Sequence, residues 1–187
     1  MIEAGPITLR RWRRDDVEAM ESAIAQSRQH LMPWQGWAAT ADRASLAAYV
    51  VRSERDWEAM TDFGYGLFEP AAATAPARAR GSVVGGAGLH ARLGPGALEI
   101  GYWVHVDRIN RGYATAAATA LTAAAFTLPE VERVEVHCDE ANVRSAAVPR
   151  KLGYRLDRIE PDEIQAPAER GRSMIWVQVR ATHSLPG

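Results

Sequence analysis

Hydrophobic residues recur every second position in some stretches of the chain and every three or four positions in others, which predicts a mixture of strands and helices. Helical spacing or strongly helix-forming composition marks residues 15–25, 43–60, 113–126 and 139–153. Alternating, β-branched or aromatic stretches predict strands over residues 7–13, 63–69, 81–90, 97–106, 131–138, 154–159 and 174–181. Because the helices and strands do not alternate regularly, the order favours an α+β fold.

Two kinds of segment interrupt these elements. The Ala/Pro/Arg-rich residues 70–80 predict a hairpin loop, and the Pro- and charge-rich residues 160–172 predict a second loop. Residues 27–40 are irregular, and a short helical turn there would place His30, Trp34 and Trp37 on one face. These rings either cap the core or form an apolar wall of a binding pocket.

A strand passes into a helix through a glycine in residues 108–118. The first N–H groups of a helix lack intrahelical partners and carry partial positive charge, so anions bind there. Gly112 lets the backbone approach an anion, and Arg108 and Arg111 add positive charge. The segment therefore indicates a phosphate site, although a glycine here is also typical of a plain tight turn.

Composition narrows the class of protein. At 187 residues with 47% hydrophobic content, the chain can bury a sizeable core, and one domain is expected. The single cysteine, Cys138, excludes an internal disulfide and a cysteine-based zinc cluster, as expected for a reducing compartment. Neither a membrane-spanning run nor a signal-peptide pattern is visible, so we expect a cytoplasmic protein without a membrane partner.

The formal net charge is −1, which gives no overall field for nucleic acid, so a nucleic-acid partner is not expected. The run at residues 10–14 is locally basic. It is either a strand with solvated arginines or a small RNA contact, and the second alternative defines one rival hypothesis, an RNA-associated protein.

Two segments together resemble the GNAT superfamily of acyl-CoA-dependent N-acetyltransferases. The family pattern Gln/Arg-x-x-Gly-x-Gly/Ala corresponds to residues 109–114, with Ile109 in place of Gln or Arg. A second pattern, Asn-x-x-Ser followed by Leu-Gly-Tyr, corresponds to residues 142–145 and 152–154. Similarity to the RimJ/RimL branch is carried by residues 7–17, 30–37 and 99–103.

The resemblance implies a single N-acetyltransferase domain over residues 1–187. Its α+β fold would have a central mixed, twisted sheet of about seven strands with helices on both faces. The strands ending at residues 106 and 138 would run parallel and splay apart to hold the CoA arm. We expect a β-bulge near residues 103–105 to open that gap.

The resemblance also implies acetyl-CoA as co-substrate. No metal is expected, because the spacing of the histidines does not favour a zinc site. Backbone amides of the cradle would hold the pyrophosphate, backbone groups of Val104 and Val106 would bond to the pantetheine arm, and Asn142 would reach its amide. The implied CoA-binding residues are Trp103, Val104, His105, Val106, Arg108, Asn110, Arg111, Gly112, Tyr113, Ala114, Thr115, Asn142 and Ser145.

Acetyl transfer to an amine needs a base and protonation of the leaving thiolate. Glu99, in an apolar strand, is the candidate base, acting through water; the alternative is an ion-paired glutamate. Many relatives use a tyrosine seven residues after Asn142 as the acid, but this chain has Pro149 there. Ser145 is the best replacement, or else an ordinary hydroxyl at a helix start. Pro149 also predicts a kinked helix.

The acceptor would be a primary amine, such as the α-amine of a protein N-terminus or of an amino acid, peptide or antibiotic. His30, Trp34 and Trp37 would line its pocket. A catalytically weak acyl-CoA-binding sensor is the main alternative, kept open by Ile109 and Pro149. A homodimer is one candidate assembly. The histidines on predicted strands are expected to be packed or surface residues; they are His90, His105 and His137.

Overall fold

The computed structural model describes residues 1–70 and 81–181, and in these residues eight strands form one mixed sheet flanked by four α-helices. The strands are β1 (Ile2–Ala4), β2 (Ile7–Arg11), β3 (Asp62–Glu69), β4 (Ser82–His90), β5 (Ala97–Val104), β6 (Arg133–Asp139), β7 (Arg155–Pro161) and β8 (Arg172–Val179). The helices are α1 (Val17–Leu31), α2 (Arg43–Glu58), α3 (Tyr113–Ala125) and α4 (Val143–Lys151).

The strand order is β1-β2-β3-β4-β5-β6-β8-β7, and β5 and β6 form the parallel pair. The predicted α+β fold is therefore confirmed. The strand that the sequence pattern missed is β1, which has only three residues and pairs with β2. The predicted loop at residues 70–80 lies outside the described residues except for its first position.

Helix α1 runs to Leu31, well beyond residue 25 and into the segment that we expected to be irregular. Its buried face continues through Ile24 and Ser27 to Leu31, at helical spacing. Ser27 is polar and therefore interrupts the apolar pattern in the sequence, yet it is fully buried and its hydroxyl accepts a hydrogen bond from the Val106 N–H (3.0 Å).

The core has two parts because successive side chains of a strand point to opposite faces of the sheet. One part packs α3 against Leu9, Leu67 and Ile100. The other packs α1 against Trp12 and Phe68. Helices therefore cover both faces, as the resemblance implies.

Strands β5 and β6 pair at only three positions, from Ala97 with Arg133 to Glu99 with Glu135, and then separate. The bulge expected near residues 103–105 is wrong: β4 and β5 pair without a shift from His90 with Glu99 to Gly85 with Val104. The gap opens instead because β5 follows β4 while β6 follows β8 along its whole length.

Among the described residues, no helix has both the length and the apolar character needed to cross a membrane.

Candidate active site

The gap between β5 and β6 exposes backbone hydrogen-bonding groups. The His105 N–H donates to the Val84 carbonyl across the β4–β5 ladder (2.8 Å). Because neighbouring residues of an antiparallel strand alternate in direction, the backbone groups of Tyr102 and Val104 face the gap. The bond from Val104 to the pantetheine arm stays a prediction, whereas the Val106 N–H is already bonded to the Ser27 hydroxyl.

The glycine turn before α3 has the backbone geometry of an anion cradle. Asn110 and Gly112 both adopt positive φ, +62° and +80°. No side chain caps the start of α3, so its first N–H groups keep their donor capacity. The missing side chain at Gly112 leaves open space, because an added Cβ would meet no atom within 4 Å.

A cavity of about 500 Å³, here called the small cavity, lies over this turn and the gap. It brings together ten of the thirteen predicted CoA-binding residues, and His105, Val106 and Arg111 lie outside its lining. The ten are Trp103, Val104, Arg108, Asn110, Gly112, Tyr113, Ala114, Thr115, Asn142 and Ser145.

Positively charged side chains surround the small cavity, but one of them, Arg108, already forms an ion pair with Glu69. The Arg108 Nε lies 2.9 and 3.0 Å from the two Glu69 carboxylate oxygens, and the Tyr113 hydroxyl donates a hydrogen bond to the same carboxylate. Burial alone would raise the pKa of Glu69, but the hydrogen bonds from Tyr113 and Arg108 outweigh it and hold the pKa below its ordinary value. Arg144 and Lys151 also line the cavity, and we did not single out Arg144 from the sequence.

His30 lines the small cavity, not the pocket wall shared with Trp37 that we expected. Burial and the nearby positive charge of Arg144 lower its pKa. A hydrogen-bonded turn follows α1, because the N–H groups of Trp34 and Gln35 both donate to the Leu31 carbonyl (2.9 Å each), and it places Trp34 with His30 in the small cavity. Trp37 does not join them, because it lies in a separate turn that begins at Gly36.

A second cavity of about 1060 Å³, the large cavity, lies between the sheet and helices α1 and α2. Trp37 lines only this cavity, and its ring meets the Trp103 ring edge-on at a centroid distance of 6.2 Å. The two cavities share six lining residues at the gap, and these define the junction: Trp34, Gln35, Tyr102, Trp103, Asn142 and Ser145.

Glu99 faces the large cavity but is only 5% exposed. Both of its oxygens are occupied: the Arg92 Nε lies 2.7 Å from Oε2 and Nη2 lies 2.5 Å from Oε1. The ion pair that the sequence analysis left open is therefore present. Arg92 is largely exposed, so water can reach this end of the pair.

His137 is the functional candidate that sequence reasoning missed. It lines the large cavity, with Nε2 held 2.6 Å from a Glu135 oxygen and Nδ1 3.9 Å from Glu99 Oε2. Burial alone would raise the pKa of Glu135, but hydrogen bonds from Arg133 and His137 outweigh it and lower the pKa. The sequence did contain a signal for His137, because polar residues occupy every second position of β6 up to His137. One of them, Glu135, lies opposite Glu99 in the parallel pair.

His90 and His105 are packed as expected and bond to Asp62 and Gln26. Across residues 1–70 and 81–181, the structure holds no group of three or more His, Cys, Asp and Glu side chains that could bind a metal ion. Cys138 is buried, and burial raises the pKa of its thiol to about 11, although a hydrogen bond with Ser145 lowers it in part.

Asn142 caps α4, since its side chain accepts a hydrogen bond from the Ser145 N–H (3.1 Å). Ser145 lies in the first turn of this helix, at the junction. Helix α4 continues through Pro149 to Lys151, and the kink at that proline stays a prediction.

Comparison with known families agrees with this geometry. The model of the acetyltransferase (GNAT) domain matches residues 7–155. The chain belongs to the GNAT acetyltransferases. It is therefore an acetyltransferase enzyme, with acetyl-CoA as the acetyl donor.

Solved structures of other GNAT proteins share the fold. The chain is similar to the microcin C7 self-immunity acetyltransferase MccE in complex with acetyl-CoA and AMP, at 16% identity and a TM-score of 0.82 over 94% of this chain and 93% of that one. It is similar to RimL, the ribosomal L7/L12 α-N-protein acetyltransferase in complex with coenzyme A, at 16% identity and a TM-score of 0.82 over 95% of this chain and 97% of that one. It is also similar to Mycobacterium smegmatis RimJ in complex with CoA-disulfide, at 20% identity and a TM-score of 0.80 over 95% of this chain and 84% of that one.

No curated protein matches the sequence of this GNAT chain.

Proposed function

We propose that this GNAT enzyme transfers the acetyl group of acetyl-CoA to a primary α-amine, of a protein N-terminus or of a small molecule such as an amino acid, peptide or antibiotic. The observation that carries the proposal is the meeting of two cavities at the gap between β5 and β6. The small cavity contains a backbone anion cradle, and the large cavity contains the carboxylates and the imidazole. A donor in the small cavity and an acceptor in the large cavity would meet beside Tyr102 and Ser145, which line both cavities.

The small cavity suits acetyl-CoA, which supplies an activated thioester carbonyl. The open N–H groups at the start of α3 would hold the pyrophosphate, with Arg144 and Lys151 nearby. The backbone of Val104 would bond to the pantetheine arm. Since Glu69 already balances Arg108, we assign more of the phosphate attraction to Arg144 and Lys151 than to Arg108.

The large cavity suits a cationic acceptor. Its lining carries seven carboxylates against two arginines, so it attracts a protonated amine. Trp34 and Trp37 would form its apolar wall, as the sequence analysis expected. The carboxylates are those of Asp56, Asp62, Glu99, Asp139, Asp162, Glu163 and Glu169.

Glu99 is our proposed base, acting through water. An α-amine has a pKa of about 8 and costs about 1.4 kcal/mol to deprotonate at pH 7, whereas a lysine amine of pKa about 10.4 costs about 4.6 kcal/mol. A carboxylate that is already paired with Arg92 suits the smaller cost. His137, with Nδ1 3.9 Å from Glu99 Oε2, places an imidazole nitrogen beside the proposed base.

Ser145 would assist at the other end of the reaction. Its hydroxyl lies at the junction, where the thiolate leaves as the C–N bond forms and the C–S bond breaks. A thiol has a pKa of about 8.5, so expulsion needs modest help, and we expect Ser145→Ala to slow the enzyme without abolishing turnover.

The test is release of free CoA thiol from acetyl-CoA with peptides of different N-terminal residues, amino acids, aminoglycosides and polyamines. Turnover with α-amines and not with a peptide whose only amine is a lysine side chain supports the proposal. The reverse preference contradicts the α-amine assignment. If no amine gives turnover while acetyl-CoA still binds in calorimetry, the result would favour the alternative of an acyl-CoA-binding sensor.

A further inference from the structure

Tyr102 connects the sheet to the first turn of α4. Its hydroxyl donates to the Ser145 carbonyl oxygen at 3.0 Å, and its oxygen lies 3.3 Å from the Ser145 Oγ. The side chain lines both cavities at the junction. A hydroxyl has one proton, so while Tyr102 donates to the carbonyl it is an acceptor for the Ser145 hydroxyl.

The Ser145 carbonyl needs this donor because of Pro149. In an α-helix, the carbonyl of residue 145 accepts from the N–H of residue 149, and proline has no N–H. A part-buried carbonyl without a donor costs free energy, and Tyr102 supplies the missing bond from β5.

We propose that Tyr102 is a positioning residue for acetyl transfer: by bonding to the carbonyl that Pro149 leaves free, it fixes the first turn of α4 and holds the Ser145 hydroxyl at the junction. This inference rests on the proposed function for the role of Ser145 at the leaving sulfur. The same proline that removes the tyrosine expected in α4 thus creates the site that a tyrosine of β5 occupies.

Tyr102 keeps its own proton in this arrangement. Burial raises the pKa of Tyr102, although its hydrogen bond with Ser145 lowers it in part. Proton transfer from such a phenol to a thiolate, whose thiol has a pKa of about 8.5, is uphill. Tyr102 therefore acts as a neutral hydrogen-bond donor, and its effect reaches the reaction through Ser145.

The kinetic test is a double-mutant cycle of Tyr102→Phe and Ser145→Ala. Tyr102→Phe should lower kcat about tenfold, the upper range for one neutral hydrogen bond, and change the KM for acetyl-CoA by less than about twofold. In the Ser145→Ala background the same substitution should lower kcat by less than about twofold, because its effect acts through the missing hydroxyl. Equal losses in both backgrounds overturn the proposal.

The matched control is Tyr154→Phe, which removes the hydroxyl group of a buried tyrosine outside the junction. Its hydroxyl lies 2.6 Å from the Thr122 hydroxyl of α3 and lines neither cavity. This variant should lose stability and keep kcat. A loss of kcat equal to that of Tyr102→Phe would show a general packing effect and contradict the proposal.

A second cycle reports on the same contact without activity. Pro149→Ala restores an N–H that can donate to the Ser145 carbonyl, so in that background Tyr102→Phe should cost less unfolding free energy in urea than it does in wild type. Additive costs overturn the inference. If wild type releases no thiol with any amine, the proposed function fails, and this cycle still decides whether Tyr102 holds the Ser145 carbonyl.

Discussion

The small and large cavities meet at one junction but are built in different ways. The small cavity depends on backbone groups of consecutive residues, with a positive φ at Asn110 and Gly112, uncapped N–H groups at the start of α3 and the free edge of β5 at Val104. The large cavity depends on side chains from helices and strands far apart in the chain, such as Trp37, Glu99 and His137.

Under the proposed function, this difference has a consequence for specificity. Backbone N–H groups would bind a constant group, the CoA phosphates, so the change at Ile109 should be tolerated because its side chain would not be the ligand. A pocket of side chains can change its acceptor by single substitutions. Variants in the two cavities should therefore change different kinetic constants.

The largest effect is expected in the large cavity, from Glu99→Gln. Loss of the base should lower kcat about a hundredfold at pH 7 and leave acetyl-CoA affinity unchanged. The loss should shrink above pH 9, where the free amine is abundant. Arg92→Met is the control for the ion pair, since it leaves the carboxylate in place. A Glu99→Gln loss that stays undiminished at high pH, or an equal loss in Arg92→Met, would argue against the base.

The cradle offers the next largest effect. A β-branched residue avoids positive φ, so Gly112→Val should relax the turn in the free enzyme and weaken acetyl-CoA binding by about 2 kcal/mol, roughly thirtyfold, in calorimetry. Its kcat at saturating acetyl-CoA should change little.

Gly94→Val is the matched control for the cradle. Gly94 has a similar φ of +87° and equally open space, but lies in the turn before β5, away from the small cavity. It should strain folding and leave affinity intact. Equal affinity losses in the two variants would mean that the cradle is not the binding site.

The same contrast explains what could be predicted from the sequence. Gly112 and Asn142 are local signals, because each determines the geometry of the few residues around it, and the structure places both at the small cavity. The long extent of α1 was missed because the buried Ser27 interrupts its apolar face. The bulge at residues 103–105 was wrong because the divergence of β5 and β6 is set by β4 and β8, which local sequence does not reveal.

The large cavity was predicted only in part for the same reason. The position of Glu99 on a strand is a local feature, but its partner Arg92 and its neighbour His137 come from a loop and from another strand. Such contacts follow from strand order and register, so the ion-paired and catalytic alternatives for Glu99 could not be separated beforehand.

A third prediction concerns the wall of the large cavity and its pH dependence. Asp139 accepts hydrogen bonds from the N–H groups of Ala141, Arg170 and Gly171 (2.8, 2.8 and 3.0 Å). Burial would raise its pKa, but these backbone bonds outweigh it and lower the pKa below its ordinary value. The folded pKa is therefore below the unfolded one, so the carboxylate stabilises the fold above the unfolded pKa, and this contribution disappears as pH falls through the folded pKa.

Asp139→Asn should accordingly lower the unfolding free energy in urea by about 1.5 kcal/mol at pH 7. The difference from wild type should vanish at pH values below the folded pKa. Asp157→Asn is the control, because the pKa of Asp157 is also lowered, by hydrogen bonds from Arg155 and Arg158, but the residue lies on the exposed surface and should contribute little. A deficit at Asp139 that is independent of pH would contradict the charged-carboxylate account.

The smallest effect tests whether the two cavities are separate in energy as well as in construction. Trp37 is 42% exposed and contacts Trp103 edge-on, so Trp37→Ala should remove about 1 kcal/mol and raise the acceptor KM about fivefold, with acetyl-CoA affinity unchanged. Trp34 lines both cavities, and Trp34→Ala should weaken the binding of both acetyl-CoA and the acceptor. If Trp37→Ala also weakens acetyl-CoA binding, the two cavities are coupled at the junction through Trp103. Acceptor selection could then not change independently of donor binding.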